Sequence, residues 1–79
     1  MKTIVESEFL NMDNLATITY VVILNVIMRS TDEVELRRNM KNIQEKYPDF
    51  NTYFDYGFGS NHMWVCEAGR KKRLIFVEF

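Results

Sequence analysis

Cysteine and histidine are scarce in this sequence, and the scarcity of each argues against a class of site. Cys66 is the only cysteine, which excludes an intramolecular disulfide and any Cys-x-x-Cys metal or redox site. A reducing cytoplasm is therefore the expected compartment. Because His62 is the only histidine and the carboxylates are scattered, the chain has few ligands for a metal ion. We predict no metal and no other cofactor.

Neither sign of charge is in excess. The chain has 10 lysines and arginines against 11 acidic residues, a net charge of −1, so it has no overall basic field that would attract nucleic acid.

Residues 15–28 form the longest apolar run, but it is shorter than the roughly 20 residues of a membrane-spanning helix, and it includes Asn25. Glu6 and Glu8 interrupt the N-terminal segment before an apolar region of the kind found in signal peptides. We expect neither membrane association nor secretion.

The remaining composition is that of one folded domain. The 79 residues are 47% hydrophobic and 14% aromatic, which provides enough apolar surface to offset the entropy of the unfolded chain. A chain of this length cannot support two separate cores. We therefore expect a single domain over residues 1–79.

Two segments near the N-terminus are rich in residues that favour strands. Residues 3–10 and residues 16–28 have this character, and the turn-forming residues 11–14 separate them. We predict a hairpin in which Ile4, Val5 and Phe9 face the first half of the long second strand.

The clearest element is a helix that follows Ser30. Ser30 and Glu33 match the capping box, in which each side chain bonds a free backbone N–H of the other residue. An apolar stripe at helical spacing comes next, formed by Leu36, Met40, Ile43 and Tyr47. Pro48 disfavours helix in the residue before it, so the predicted helix ends at residue 46 or 47.

Three further strand-like runs complete the chain, over residues 50–56, 62–67 and 74–79. Glycine-containing turn segments separate them. The predicted order is ββαβββ, an α+β fold with one amphipathic helix packed on a mostly antiparallel sheet.

One helix covers only one face of a sheet, yet the predicted long strand is apolar on both faces. Val22, Leu24 and Val26 point one way, and Val21, Ile23 and Ile27 point the other. Because soluble monomers rarely expose a large apolar patch, something must cover the second face. Two interpretations remain open: a second chain covers it, either a copy or a different protein, or the sheet closes into a small barrel.

Two sequence features resemble functional motifs without their full pattern. Gly57-Phe58-Gly59 begins like a phosphate-binding glycine loop, but His62 replaces the third glycine and the segment joins two strands. His62 and Cys66 are four residues apart, about 13 Å along a strand, which is too far for a catalytic Cys–His pair. We therefore expect a protein that is not an enzyme.

Basic and aromatic side chains supply the candidate contact residues. Four bases lie at the tip of the last predicted hairpin: Arg70, Lys71, Lys72 and Arg73. Such a tip can contact phosphates or an acidic protein surface, or it can simply stay solvated and discourage aggregation. Aromatic residues can stack on bases or anchor a protein interface, and the apolar sheet favours the second role. The predicted partner-binding residues are Tyr53, Phe54, Tyr56, Trp64 and Phe76.

These observations favour a binding protein that acts through its surface. We expect a small regulatory or inhibitory accessory protein that forms a homodimer and occupies a site on a larger protein. Its use of Asn, Lys, Ile, Phe and Tyr is typical of small proteins from AT-rich genomes, including those of phages. The alternative is a nucleic-acid-binding domain that uses the basic hairpin at residues 70–73.

Overall fold

The computed structural model describes residues 1–10 and 13–79, which form helices packed on a four-stranded antiparallel sheet. The elements are β1 (Lys2–Val5), α1 (Asn14–Arg29), α2 (Glu33–Lys46), α3 (Phe50–Tyr53), β2 (Phe54–Phe58), β3 (His62–Glu67) and β4 (Arg73–Glu78). The predicted α+β class and the antiparallel sheet are confirmed.

The sheet is open, with strand order β1-β4-β3-β2. Strands β2, β3 and β4 are consecutive hairpins, and β1 pairs with β4 on the far side. Among the described residues, β1 and β2 each have a partner on one side only. The sheet therefore does not close into the small barrel that the sequence left open.

The predicted long strand at residues 16–28 is wrong, because this segment lies within helix α1. The Asp13 carboxylate caps the helix by accepting hydrogen bonds from the backbone N–H groups of Leu15 (2.8 Å) and Ala16 (3.4 Å). Ala16, Thr19, Ile23 and Ile27 then form the buried stripe of α1. Tertiary burial of that stripe outweighs the strand preference of its β-branched residues.

The predicted N-terminal hairpin is consequently absent from the described residues. Ile4 and Val5 pair with Phe76 and Ile75 of β4 instead. Of the predicted turn at residues 11–14, Asn11 and Met12 lie outside the described residues, while the other two residues begin helix α1.

The N-cap of helix α2 lies two residues later than predicted. Asp32 is the N-cap and accepts a hydrogen bond from the backbone N–H of Glu35 (2.8 Å), whereas Ser30 ends α1 and its hydroxyl donates to the Val26 carbonyl (2.7 Å). The Ser30–Glu33 capping box is therefore wrong, because Asp32 competes for the same role. The predicted end at Lys46 and the buried stripe of Leu36, Met40 and Ile43 are confirmed.

The strand predicted at residues 50–56 is divided between two elements. Its first part is the short helix α3, and β2 starts only at Phe54. The core lies between the helices and one sheet face. Its fully buried side chains include Ile23, Ile27, Leu36, Met40, Phe50, Phe54, Met63, Val65, Ile75 and Val77.

Candidate functional site

The second face of the sheet has no helix on it within the described part of the chain, and we call it the open face. Residues that pair across strands share a face, so one row of it runs Ile4, Phe76, Trp64 and Gly57 from β1 to β2. The flanking rows of the open face add Lys2, Asp55, His62, Cys66, Arg73 and Glu78. This face is a mixture of aromatic, basic and acidic side chains.

Trp64 lies flat against the neighbouring strand because position 57 has no side chain. A Cβ atom on Gly57 would lie 2.5 Å from Cζ2 and 2.7 Å from Cε2 of the indole. The glycine therefore provides the space that the ring occupies, and the half-buried indole forms part of the surface of the open face. Trp64 is the only tryptophan of the chain.

Phe76 is in contact with a titratable ring and a guanidinium group. Its ring stacks on His62, with centroids 5.1 Å apart, and the Arg73 Cζ atom lies 4.5 Å from its centroid. Gly59 in turn makes room for His62, since a Cβ there would lie 2.3 Å from the imidazole. The histidine thus has a defined packing position on the open face.

Arg73 is held in place by two contacts. Its Nε and Nη2 atoms donate to the Glu6 carboxylate at 2.9 and 3.1 Å, and the Ser7 hydroxyl donates to its carbonyl at 2.7 Å. A β-bulge sets its direction: Val65 pairs with Ile75, but the next residue, Cys66, pairs with Arg73. Leu74 is thus an extra residue that is buried, and Arg73 reaches the open face.

An open hollow of about 520 Å³ lies beside these residues, near the β3–β4 loop. Its lining includes Asp55, Trp64, Cys66, Arg70 and Lys71. Burial raises the pKa of the Cys66 thiol, with a further contribution from Asp55. The thiol therefore stays protonated at neutral pH and packs as a small apolar group.

Half of the basic tip is already paired with carboxylates. Arg70 Nε lies 3.3 Å from the Glu67 carboxylate, and Arg73 pairs with Glu6. Lys71 and Lys72 are exposed and have no ion-pair partner in the described part of the chain. Two of the four side chains that could contact phosphates, Arg70 and Arg73, therefore already have an acidic partner.

The five predicted partner-binding residues are divided among four places. Trp64 and Phe76 are cross-strand neighbours on the open face. Phe54 is completely buried in the core, so its prediction as a contact residue is wrong for the folded chain. Tyr56 lies under α2, where its hydroxyl donates to Gln44 Oε1 at 2.8 Å, and Tyr53 hydrogen-bonds the Asp13 side chain, which raises the pKa of its phenol.

Sequence reasoning missed several residues of the open face, among them Ile4, Asp55 and His62. Ile4 was assigned to a different pairing, Asp55 was not considered, and His62 was considered only as a possible partner of Cys66 and as part of the glycine segment. The alternation of His62, Trp64 and Cys66 in β3 was a usable signal, since residues two apart in a strand share a face. Ile4 could not be placed in the same way, because its position depends on the pairing of β1 with β4.

A second exposed surface lies on the outer side of helix α1. Leu15, Ile18, Val21 and Met28 are 54, 54, 49 and 79% exposed, and no charged residue occurs between Asn14 and Met28. The apolar excess that the sequence indicated for this segment is therefore present, although the segment is a helix.

Two kinds of site are absent from residues 1–10 and 13–79. No three side chains of His, Cys, Asp or Glu come close enough together to hold a metal ion. None of the described helices is long and apolar enough to cross a membrane.

Comparison with known proteins identifies the family of the chain. No curated protein and no solved structure matches it. A family model described as a domain of unknown function, DUF8466, matches residues 1–77, nearly the whole chain. The chain belongs to the DUF8466 family.

Proposed function

We propose that this protein is a non-enzymatic binding module whose open face docks on a larger protein. The observation that supports this most is the packing of Trp64 and Phe76 side by side, next to an Arg73 that is fixed by Glu6. Tryptophan and arginine are the residues most enriched at the energetic centres of protein interfaces. Because their positions are fixed before binding, little side-chain entropy is lost when a partner covers them.

The charges of the open face also favour a protein partner over a polyanion. Asp55 and Glu78 project from the same face as the bases, and Glu6 neutralises Arg73. A surface with both signs of charge suits the polar rim of a protein interface. It is a poor match for a continuous row of phosphates.

An affinity purification from expressing cells tests the proposal. We expect a specific protein to co-purify with the wild type, to be lost with Trp64→Ala, and to remain with Tyr47→Ala. Tyr47 is a matched control, because it is another half-buried aromatic residue but lies at the end of α2. Circular dichroism of each variant confirms folding. Equal recovery of the same protein by both folded variants would contradict the proposal.

Nucleic-acid binding is the second candidate, and one observation favours it. The Trp64 indole lies beside the hollow that Arg70 and Lys71 line. A nucleic-acid base could therefore stack on the indole while a phosphate group contacts the β3–β4 loop. Of the four bases at the tip, Lys71 and Lys72 are free of ion pairs, so we expect two phosphate contacts. The logarithm of the binding constant should then fall with the logarithm of the salt concentration at a slope of about −1.4 to −1.8. Replacing all four bases at 70–73 with serine should then abolish binding, whereas a protein partner should largely tolerate this change.

We further propose that the outer side of α1 mediates a homodimer. Its exposed apolar side chains lie at helical spacing and carry no charge that would oppose the approach of an identical helix. Ile18→Lys should convert a dimer to a monomer in light scattering at micromolar concentration, and Asn42→Lys, at an exposed polar position on α2, should not. A wild-type mass of 9.5 kDa at all concentrations would contradict the homodimer.

We base the proposed biological role on these surfaces. A domain that acts by covering a partner's site would serve as a regulatory or inhibitory accessory protein, and we propose this role in the cytoplasm, with a phage among its expected sources. The buried, reduced thiol of Cys66 supports the compartment, since it needs no oxidising environment.

A further inference from the structure

The free edge of strand β2 has backbone groups that point away from the sheet. The Gly59 N–H donates to the His62 carbonyl, and the Ala68 N–H donates to the Tyr53 carbonyl, both at 2.8 Å. In an antiparallel pair, hydrogen-bonded and non-bonded positions alternate, so the peptide groups of Asp55 and Gly57 also face β3. Those of residues 56 and 58 must then face outward, where no described residue pairs with them.

This edge lacks the lysine, proline and bulge that commonly protect an edge strand from pairing, although at 5 residues it is short. Native sheets blunt their edges with lysine, proline, very short strands or bulges. The opposite edge, β1, has only 4 residues and includes Lys2. Strand β2 contains neither lysine nor proline, and its one charged residue, Asp55, points to the open face and not along the edge.

A groove runs beside this edge, between β2 and helix α2. It has a volume of about 430 Å³, and its lining includes Arg37, Gln44, Asn51, Tyr56 and Phe58. Its walls are held by defined contacts. Tyr56 donates to Gln44 and Gln44 to Asn51, each at 2.8 Å.

The end of the groove near Phe58 is fixed in the same way. The Arg37 Cζ atom lies 4.2 Å from the centre of the Phe58 ring, and Glu33 holds the guanidinium at 2.9 Å. The groove therefore has an aromatic floor along β2 and a polar wall along α2.

We propose that an extended segment of another protein binds in this groove as a fifth strand, paired with β2. The unpaired N–H and C=O groups of Tyr56 and Phe58 recognise a backbone, and a backbone in the β conformation presents matching groups at the same spacing. Because side chains alternate along a strand, every second side chain of the segment would rest on the aromatic floor. We therefore expect apolar residues at alternate positions.

A second copy of this chain fits the edge less well than a simple peptide. A two-fold axis at β2 would bring two α2 helices together. Arg38 and Lys41 are exposed and have no ion-pair partner among the described residues, so on each helix they would approach their own copies, and such like-charge contacts oppose association. The groove borders the open face at Asp55 and Gly57. Recognition there uses the backbone of Tyr56 and Phe58 and not Trp64 or Phe76, so the test of this groove does not depend on the proposed function or on the outer side of α1.

Hydrogen exchange followed by NMR tests this proposal on the full chain. The probes are end-blocked hexapeptides with threonine at every second position and valine, isoleucine or phenylalanine between them. We expect the backbone amides of Tyr56 and Phe58 to exchange rapidly in the free protein and at least tenfold more slowly with a saturating peptide. The amides of Asp55 and Gly57 already bond to β3, so they serve as internal controls.

The peptide itself supplies a second control. Methylating the amide nitrogens that face β2 should weaken binding by about tenfold or more, because each removes a hydrogen bond and adds a clash, whereas methylating the alternate ones should have little effect. Equal effects of the two patterns, no binding by any peptide, or protection elsewhere than at β2 would overturn the proposal. Protection of Tyr56 and Phe58 that grows with protein concentration alone would also overturn it, since a second copy would then occupy the edge.

Discussion

Replacing Gly57 with alanine should displace Trp64 from the sheet. The added Cβ would lie 2.5 Å from the nearest indole carbon, well inside contact distance, so the ring must move. The backbone itself accepts alanine, because Gly69 is the one glycine with a positive φ angle among the described residues. The effect of the substitution is therefore a measure of the contact with the indole.

The magnitude follows from two opposing contributions. Alanine at a compatible position stabilises a protein by about 0.4–1 kcal/mol through the entropy of the unfolded chain. Forcing extra atoms into a packed site costs about 1–3 kcal/mol. We expect a net loss of about 1 kcal/mol, which for a domain of this size lowers the melting temperature by about 4–8 °C.

A double-mutant cycle isolates the contact. In a Trp64→Ala background the clash is gone, so Gly57→Ala should become stabilising by about 0.4–1 kcal/mol, and the sign of its effect reverses. Chemical denaturation of the four proteins gives the free energies. Because Trp64 is the only tryptophan, its fluorescence should also shift to the red in Gly57→Ala as the indole becomes more exposed.

Two results would refute this reasoning. One is an equal cost of Gly57→Ala with and without the indole, which would place the strain elsewhere. The other is an unchanged emission maximum together with lower stability, which would show that the backbone moves and the ring does not.

The remaining predictions concern the core, a helix cap and a buried thiol. Ile43→Asp should prevent folding, because a buried unpaired carboxylate costs several kcal/mol, whereas exposed Glu45→Lys should leave the melting temperature nearly unchanged. Asp32→Ala should cost about 1 kcal/mol in chemical denaturation by removing the cap of α2, and Asp49→Ala, whose side chain makes no cap bond, should cost less. Burial raises the pKa of Cys66 above its ordinary 9.0, so the folded state retains a proton that the unfolded state loses. Stability should therefore be full below that pH and fall above it, and the fall between pH 8 and pH 10 should be smaller in Cys66→Ala; an equal fall would contradict this assignment.

The fold was predictable where local signals agreed. Helix α2 has a narrow apolar stripe, and the stop at Pro48 is unambiguous, so its extent could be inferred from sequence to within a few residues. Helix α1 could not be identified by periodicity, because its outer side is apolar as well and an all-apolar run fits either element. The length of this segment was a signal that the prediction neglected. Residues 16–28 are too many for an ordinary strand, and an apolar segment of that length favours a helix.

The candidate site was predictable only in part, for topological reasons. Trp64 and Phe76 were predicted as partner-binding residues, and the structure places them together on the open face. Phe54 and Tyr56 were predicted for the same role because they are aromatic, but the register of β2 with β3 puts both rings on the sheet face that the helices cover. The Glu6–Arg73 pair joins residues far apart in sequence, and local patterns carry no information about such a contact.

The bulge in β4 allows two consecutive residues, Leu74 and Ile75, to lie in the core while Arg73 still reaches the open face. In a regular strand, successive side chains alternate between the two faces of the sheet. If Leu74 were deleted, Arg73 would directly precede Ile75 and would still pair with Cys66, so the strand would become regular and Arg73 would keep its position on the open face. The deletion should therefore preserve the pair of Arg73 with Glu6, and its main cost should be the lost packing of a buried leucine. The bulge thus adds a side chain to the core without changing the charge of the open face.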